Sequence, residues 1–492
     1  MIAHLAILQV IVPLMAAPLC LLLTRPRLAW LFTLLASGLA FLTSCLLLQQ
    51  VMTSGTIIYE LGGWDAPWGI EYRIDQLNAF LLLIITAIST VVLFAAHTSI
   101  QDEIPADRHT IFYVLYLLSL AAMLGIVATG DAFNVFVFLE ISSLSAYALI
   151  ALGKDRRALW ASYQYLIMGT IGATFILIGI GLMYQMTGTL NMDDLAKRLP
   201  EVAQTRTIFT AFAFVIVGIC LKLALFPLHL WLPNAYAYAP SIVTAFFAAT
   251  ATKVAIYLLI RFTFSVFGLS FSFTHLPLQI LFVVLGLAGI FVASTAAIYQ
   301  TNIKHLFAYS SIAQIGYMIV GFSASTVTGL TATLLHVFNH ALMKGALFLA
   351  LGAVMYRIGS TQLSQFHGLG RQMPLTMAAI VIGGLSLIGV PLTVGFVSKW
   401  YLVLAVIENG WWPVAVLILL GSLLAVVYVW RIVEVAYFKP APAGSETIKE
   451  APASFLIPVW ILVIANIYFG IDTRLSVQVA EAASRSLFGM SP

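Results

Sequence analysis

The sequence predicts an all-α polytopic membrane protein, and two observations carry that reading. First, 62% of its 492 residues are hydrophobic and only 9% are charged. A soluble domain carries about 25% charged residues, so this chain has too little polar material to cover a water-facing surface. Second, its apolar residues come in long continuous runs, not in the ten-residue alternating segments of a membrane β-barrel. The same numbers exclude disorder, a coiled coil and nucleic-acid binding. The net charge is only +4 and no tract is strongly basic. Cys20, Cys45 and Cys220 lie in apolar runs, are odd in number and form no CxxC, so neither a disulfide framework nor a metal cluster is indicated.

A spanning helix needs about 20 apolar residues. About fourteen spans follow, over 4–23, 28–50, 74–96, 110–129, 131–151, 160–186, 207–232, 241–263, 276–299, 303–322, 327–356, 374–405, 411–437 and 452–470. No basic segment precedes the first, so it reads as a retained helix, not a cleaved signal peptide. The seventh is interrupted by Pro227 and Pro233, with His229 between them. The twelfth carries Gly383, Gly384, Gly389, Pro391 and Gly395. Proline inside a spanning helix frees carbonyls that lipid is unable to satisfy, so such breaks belong beside protein or water. Each broken helix is fourth in a five-helix unit, and the two units start on opposite sides of the membrane. That order predicts an inverted repeat with a pathway between its halves. The chain divides into a three-helix segment (1–109), a first repeat (110–263), a second repeat (276–438) and a C-terminal helix and tail (439–492).

Lys/Arg placement sets the orientation. Arg25, Arg27, Arg108, Lys154, Arg156, Arg157, Lys304, Arg357, Arg371, Lys439 and Lys449 fall on one side. The smaller group of Arg73, Lys197, Arg198, Arg206, Arg474 and Arg485 falls on the other. The first side is then cytoplasmic and both termini lie outside. The stretch 193–206 reads as the longest outer loop and 439–450 as the clearest inner one.

Ionisable groups at bilayer depth cost at least ~2.5–3.5 kcal/mol on insertion scales and point to function. Glu140, Lys222, Lys253, His336, His340, Lys344 and Lys399 fall inside the spans. Spacing of four places His336, His340 and Lys344 on one helix face. Together they form a series able to gain and lose protons, with Pro227, His229, His340 and Pro391 in support. Static ion pairs or snorkelling lysines are the structural alternative. Lys304 and His305 open a helix and read as a positive-inside anchor, Arg431 and Glu434 as a local pair, and Asp75 and Asp131 as helix caps or interface charges. The spacing of His336 and His340 would suit a metal, but no acidic third ligand is near, and no cofactor motif is legible.

Six strings carry a family resemblance: RIDQLNAFLLL (73–83), GDAFNVFVFLEISSLSAYALIALG (130–153), LKLALFPLHLWLPNAYAYAPSIVTAFFAATATKVAIY (221–257), NIKHLFAYSSIAQIGY (302–317), LLHVFNHALMKGALFL (334–349) and GVPLTVGFVSKW (389–400). On these the chain resembles the antiporter-like membrane subunits shared by Mrp-type sodium/proton antiporters, respiratory complex I and membrane-bound hydrogenases. Its length and the GTLNMDDLA stretch look like the D-type member of the Mrp assembly. The resemblance implies fourteen helices, two inverted five-helix repeats and broken seventh and twelfth helices. It places the family's fifth-helix glutamate on Glu140, the seventh-helix lysine on Lys222 and the eighth-helix basic residue on Lys253. The eleventh-helix polar positions fall on His336, His340 and Lys344, and the twelfth-helix charge on Lys399. The implied function is proton translocation within a multi-subunit Na+/H+ antiporter of the bacterial plasma membrane, with no resident cofactor or metal and with other membrane subunits as partners. The same fold also serves redox-driven proton pumps and inorganic-carbon uptake complexes. An inert scaffold is the remaining alternative.

Overall fold

The computed structural model describes residues 4–275, 278–441 and 447–490. Two helices open the chain, α1 (Leu5–Cys20) and α2 (Pro26–Ser54). A hairpin of β1 (Ile57–Glu60) and β2 (Glu71–Ile74) leads into α3 (Gln76–Glu103). Then come α4 (His109–Ala128), α5 (Ala132–Ala151), α6 (Arg157–Thr187), the short α7 (Met192–Val202), α8 (Arg206–Leu223), α9 (Trp231–Tyr238) and α10 (Ser241–Ile260). The second half comprises α11 (Leu278–Ile298), α12 (Ile303–Ser323), α13 (Val327–Ile358), the single turn α14 (Leu369–Gln372), α15 (Pro374–Ile388), α16 (Val394–Glu408) and α17 (Trp412–Val433). α18 (Ala453–Ile471) and α19 (Arg474–Leu487) close it. Among the described residues twelve helices are long and apolar enough to cross a membrane, and α1 and α15 are shorter apolar helices.

Both expected breaks are present. α8 stops at Leu223 because Ala224 turns left-handed (φ 58°), and the chain resumes as a helix only at Trp231. Pro227 and His229 lie in this gap. Pro233, expected from sequence as a second interruption, instead occupies the first turn of α9, where a helix needs no N–H from it. The second break runs from Gly389 (φ 94°) to Thr393 and contains Pro391. It is tight: a Cβ on Gly395 would fall 1.8 Å from the Ser386 carbonyl oxygen, so only glycine fits.

The halves repeat each other at residue level, which the sequence did not show. Ala132 N–H bonds Leu190 O and Met192 N–H bonds Gly130 O; Ile303 N–H bonds Thr361 O and Leu363 N–H bonds Thr301 O. The second set stands 171 positions after the first at every residue, as do the paired bridges Asp131–Asn191 and Asn302–Gln362. Both loops begin with a left-handed glycine that ends a long helix, Gly188 after α6 and Gly359 after α13. Asp131 caps α5 at one end of the bundle, and Asn302 caps α12 at the other. The repeat is therefore inverted.

Contacts also sort the basic residues by end. Lys154 bonds Asp102 O, Arg157 lies over Tyr238, and Arg357 bonds Glu450 O. At the opposite end Arg73 pairs with Asp193 and Arg198 with Asp194.

Several sequence expectations need correction. The span 193–206 is no plain loop but holds most of α7, whose Met192, Leu195 and Leu199 are buried beneath a charged face. From sequence alone the hairpin and the amphipathic α19 pass for connecting and tail segments. None of the three is apolar over 20 residues, so a search for spans passes over them all. Arg431 donates to Gln300 O, while Glu434 pairs with Lys439 at 3.7 Å, so Arg431 and Glu434 form no local pair. Asp75 and Asp131 do cap α3 and α5. The start of the ninth span (276–277) and part of the inner stretch (442–446) lie outside the described residues.

A candidate proton path inside the bundle

Lys222, Lys253, His336, His340, Lys344 and Lys399 are all buried in the bundle. Lys222 sits in the last turn of α8, where the helix dipole favours a cation. Its Nζ donates to Ser143 Oγ on α5 at 2.7 Å. Glu140 is one turn from Ser143 and close enough to act electrostatically on Lys222. It forms no ion pair with it, and its buried Oε1 has no hydrogen-bond partner. Glu140 differs from these buried groups. It is half-buried on a stripe shared with the exposed Phe133, Val137 and Leu144. The acid thus stands at the rim and the lysine behind it.

A second cluster gathers the remaining groups. Lys253, in mid-α10, donates to Ala248 O and Thr252 Oγ. It lies within electrostatic reach of His336, His340 and Lys344 on α13. Lys344 donates to Phe307 O at 2.8 Å and to Ser310 Oγ on α12. His336 bridges Gln314 Oε1 and Ser398 Oγ, both at 2.9 Å. His340 stacks parallel to His336 with ring centroids 6.2 Å apart, and neither of its ring nitrogens meets a protein partner.

Lys399 shows what the second break does. Its Nζ donates to Leu387 O at 2.8 Å, to Ile388 O at 2.9 Å and to Ser422 Oγ at 3.0 Å. Those carbonyls end α15 and lose their helical partners because Gly389 turns away. The lysine therefore occupies the negative end of a half-helix, over the Tyr317 ring at 4.7 Å. The first break works differently. There Leu221 O is taken by Trp231 Nε1, and Lys222 points away to α5. His229 stacks on Phe226 within that gap, and its Nδ1 is unpartnered.

Sequence reasoning therefore named the charges but missed their neutral partners: Ser143, Ser310, Gln314, Tyr317, Ser398 and Ser422. A signal existed in the string YSSIAQIGY, whose polar residues recur on one face of an apolar helix. It also missed a buried ion pair away from the row. Arg261 lies 2.8 Å from Asp75 Oδ2 and donates to Asn78 Oδ1 at 2.8 Å, fixing the far end of α10 to α3. Among the described residues no group of three or more His, Cys, Asp or Glu side chains is placed to hold a metal.

Comparison with known proteins gives this arrangement its relatives. The family model described as "NADH:quinone oxidoreductase/Mrp antiporter, TM" matches residues 129–425. The chain is 43% identical to the N-type subunit of the NADH-quinone oxidoreductase of Desulforudis audaxviator (strain MP104C), covering 96% of each chain. It is 31% identical to the D-type subunit of the Na(+)/H(+) antiporter of Alkalihalophilus pseudofirmus, covering 89% of each. Its fold matches a chain of the archaeal membrane-bound sulfane sulfur reductase with TM-score 0.89 and 31% identity, over 99% of this chain and 97% of the other. With well over half of its length matched, the chain belongs to the transmembrane family of NADH:quinone oxidoreductase and Mrp antiporter subunits.

Proposed function

We infer that this antiporter-like subunit translocates protons along the groups running from Glu140 and Lys222 through Lys253, Lys344 and His336 to Lys399, as part of a complex that exchanges a monovalent cation such as Na+ for protons. One observation carries the reading. Among the described residues, none of Lys222, Lys253, Lys344 and Lys399 has a carboxylate within 4.0 Å; all four are held by neutral oxygens. A permanent charge so placed is costly, and removing it from a partner-less site relieves that cost. Groups that shed and regain a proton fit the site, whereas static ion pairs and snorkelling do not. The half-exposed Glu140 stripe supports a neighbouring membrane subunit covering this face, since a carboxylate in contact with lipid is disfavoured. With the basic-rich end cytoplasmic, both termini face outward.

A second reading places the same path in a redox-driven complex, and the 43% identity to a quinone-oxidoreductase subunit favours it. Vesicles holding the assembled complex separate the two. An imposed Na+ gradient that drives proton movement supports the antiporter, and proton movement that needs electron transfer supports the pump. Lys222→Ala should abolish proton movement in either case while assembly survives. Normal movement in that variant would overturn the inference.

A further inference from the structure

At the basic-rich end, where the two halves meet, the surface opens into a cavity of about 260 Å³. Asp102 and Glu103 line it from the end of α3, Asp155, Arg157 and Tyr238 from the first half and Lys304 from the second. Asp155 and Arg157 satisfy each other at 2.7 Å, and that bond holds the Asp155 carboxyl below its ordinary range. Glu103 and Lys304 are different. The Lys304 side chain is 4% exposed and that of Glu103 14%, and Nζ stands 3.9 Å from Oε2, beyond hydrogen-bond distance. Lys304 donates to Ala239 O at 3.1 Å. An orientation anchor would reach outward to water, whereas this lysine is turned into the protein at the head of α12.

The face of α12 below Lys304 touches the second cluster in turn. Phe307 O and Ser310 accept from Lys344, Gln314 meets His336, and the Tyr317 ring lies under Lys399. Steps of three and four keep positions 304, 307, 310, 314 and 317 on one side of the helix. At 1.5 Å per residue, Lys304 stands about 9 Å above Ser310, and the face runs about 20 Å to Tyr317.

We propose that this cavity is the surface mouth of the proton path in the second half, and that Glu103 and Lys304 pass protons between bulk water and Lys344. The proposal rests on the function inferred above. The cycle starts with carboxylate and ammonium. Glu103 takes a proton from water, Lys304 releases one of its protons inward, and Glu103 then hands its proton to the Lys304 amine. Both groups return to their starting state, and one proton has moved.

The test uses the assembled complex in sealed vesicles, with Cys20, Cys45 and Cys220 replaced and Ser360→Cys placed on the cavity wall. A charged, membrane-impermeant thiol reagent added from the basic-rich side should cut proton transport at least tenfold; the same reagent added from the opposite side should leave it unchanged. Glu103→Gln keeps an acceptor for the Ser241 N–H, which now bonds Oε2 at 2.9 Å, so the start of α10 should stay capped. That variant and Lys304→Met should each slow transport at least tenfold. A thiol that fails to react, or reacts without slowing transport, overturns the mouth, and so does normal transport in both variants. If Lys399→Arg abolishes transport in that case, the inferred function stands without this mouth. If Lys222→Arg, Lys253→Arg and Lys399→Arg all transport normally as well, both fall.

Discussion

Lys222, Lys253, Lys344 and Lys399 share one feature: each ammonium is buried and each partner is a hydroxyl or a carbonyl. Such partners orient the group without fixing its charge, as a carboxylate would. Among the described residues Ser143 is the only side chain that Lys222 bonds. A hydrogen bond to a charged group is worth about 1.5–3 kcal/mol, so Ser143→Ala should change proton transport by about tenfold or more with normal assembly, measured in vesicles with a pH-sensitive dye. The Asp75–Arg261 pair makes the opposite prediction, because it belongs to the scaffold. Breaking a buried pair typically costs about 3–5 kcal/mol. Asp75→Asn should therefore lower the unfolding temperature of the complex, while molecules that still assemble transport at the normal rate. Loss of transport at unchanged stability would move the pair into the path. The contrast explains what single residues disclosed in the sequence. A charge in an apolar run is conspicuous, so Lys222 or Lys399 could be named at once. A serine or glutamine there is ordinary until the fold shows that Lys344 or His336 faces it. Glu140 was legible as a charge but not as a rim residue, because a helix hydrophobic on all faces gives no sign of which side turns outward.

Broken helices are the elements that matter, and each is specified locally. Gly389 supplies a left-handed turn, and Gly395 lets the start of α16 pass against Ser386. Lys399 then meets the orphan carbonyls of α15. Gly395→Ala should displace this junction and reduce proton transport at least tenfold. Gly38→Ala, where nothing lies within 4 Å of the new Cβ, should be silent in transport and neutral or slightly stabilising. Equal effects of the two substitutions would show that the junction is not held by this contact. The glycines and prolines made the breaks legible in sequence, but not which proline lies in the gap: Pro227 does, while Pro233 is absorbed into the first turn of α9. Amphipathic α7 and α19 were missed because a search for spans rewards uniform apolarity.

At the scale of the whole molecule, inversion gives a related fold at both ends of the membrane while the side chains are free to diverge. The 171-residue correspondence survives where backbone bonds define it, at the paired bridges of Asp131 and Asn302. It is lost among the ionisable side chains, since Ser311 stands where the first half has Glu140. That divergence hid the repeat from a comparison of residues and left only the order of helices to suggest it. It also gives the halves different equipment. The first holds the acid at a rim with Lys222 buried behind it, and the second holds histidines and lysines around α12 and α13, with Lys253 between them.

The central claim is that the buried lysines release and regain protons. Arginine keeps the positive charge and the donors but does not deprotonate in proteins. The decisive measurement is proton flux across sealed vesicles containing the assembled complex, comparing the native chain with Lys222→Arg, Lys253→Arg and Lys399→Arg at equal complex content. Flux should fall to background in all three variants while the complex stays assembled. Native flux in any one of them would contradict a protonation cycle at that lysine, and native flux in all three would contradict the account as a whole.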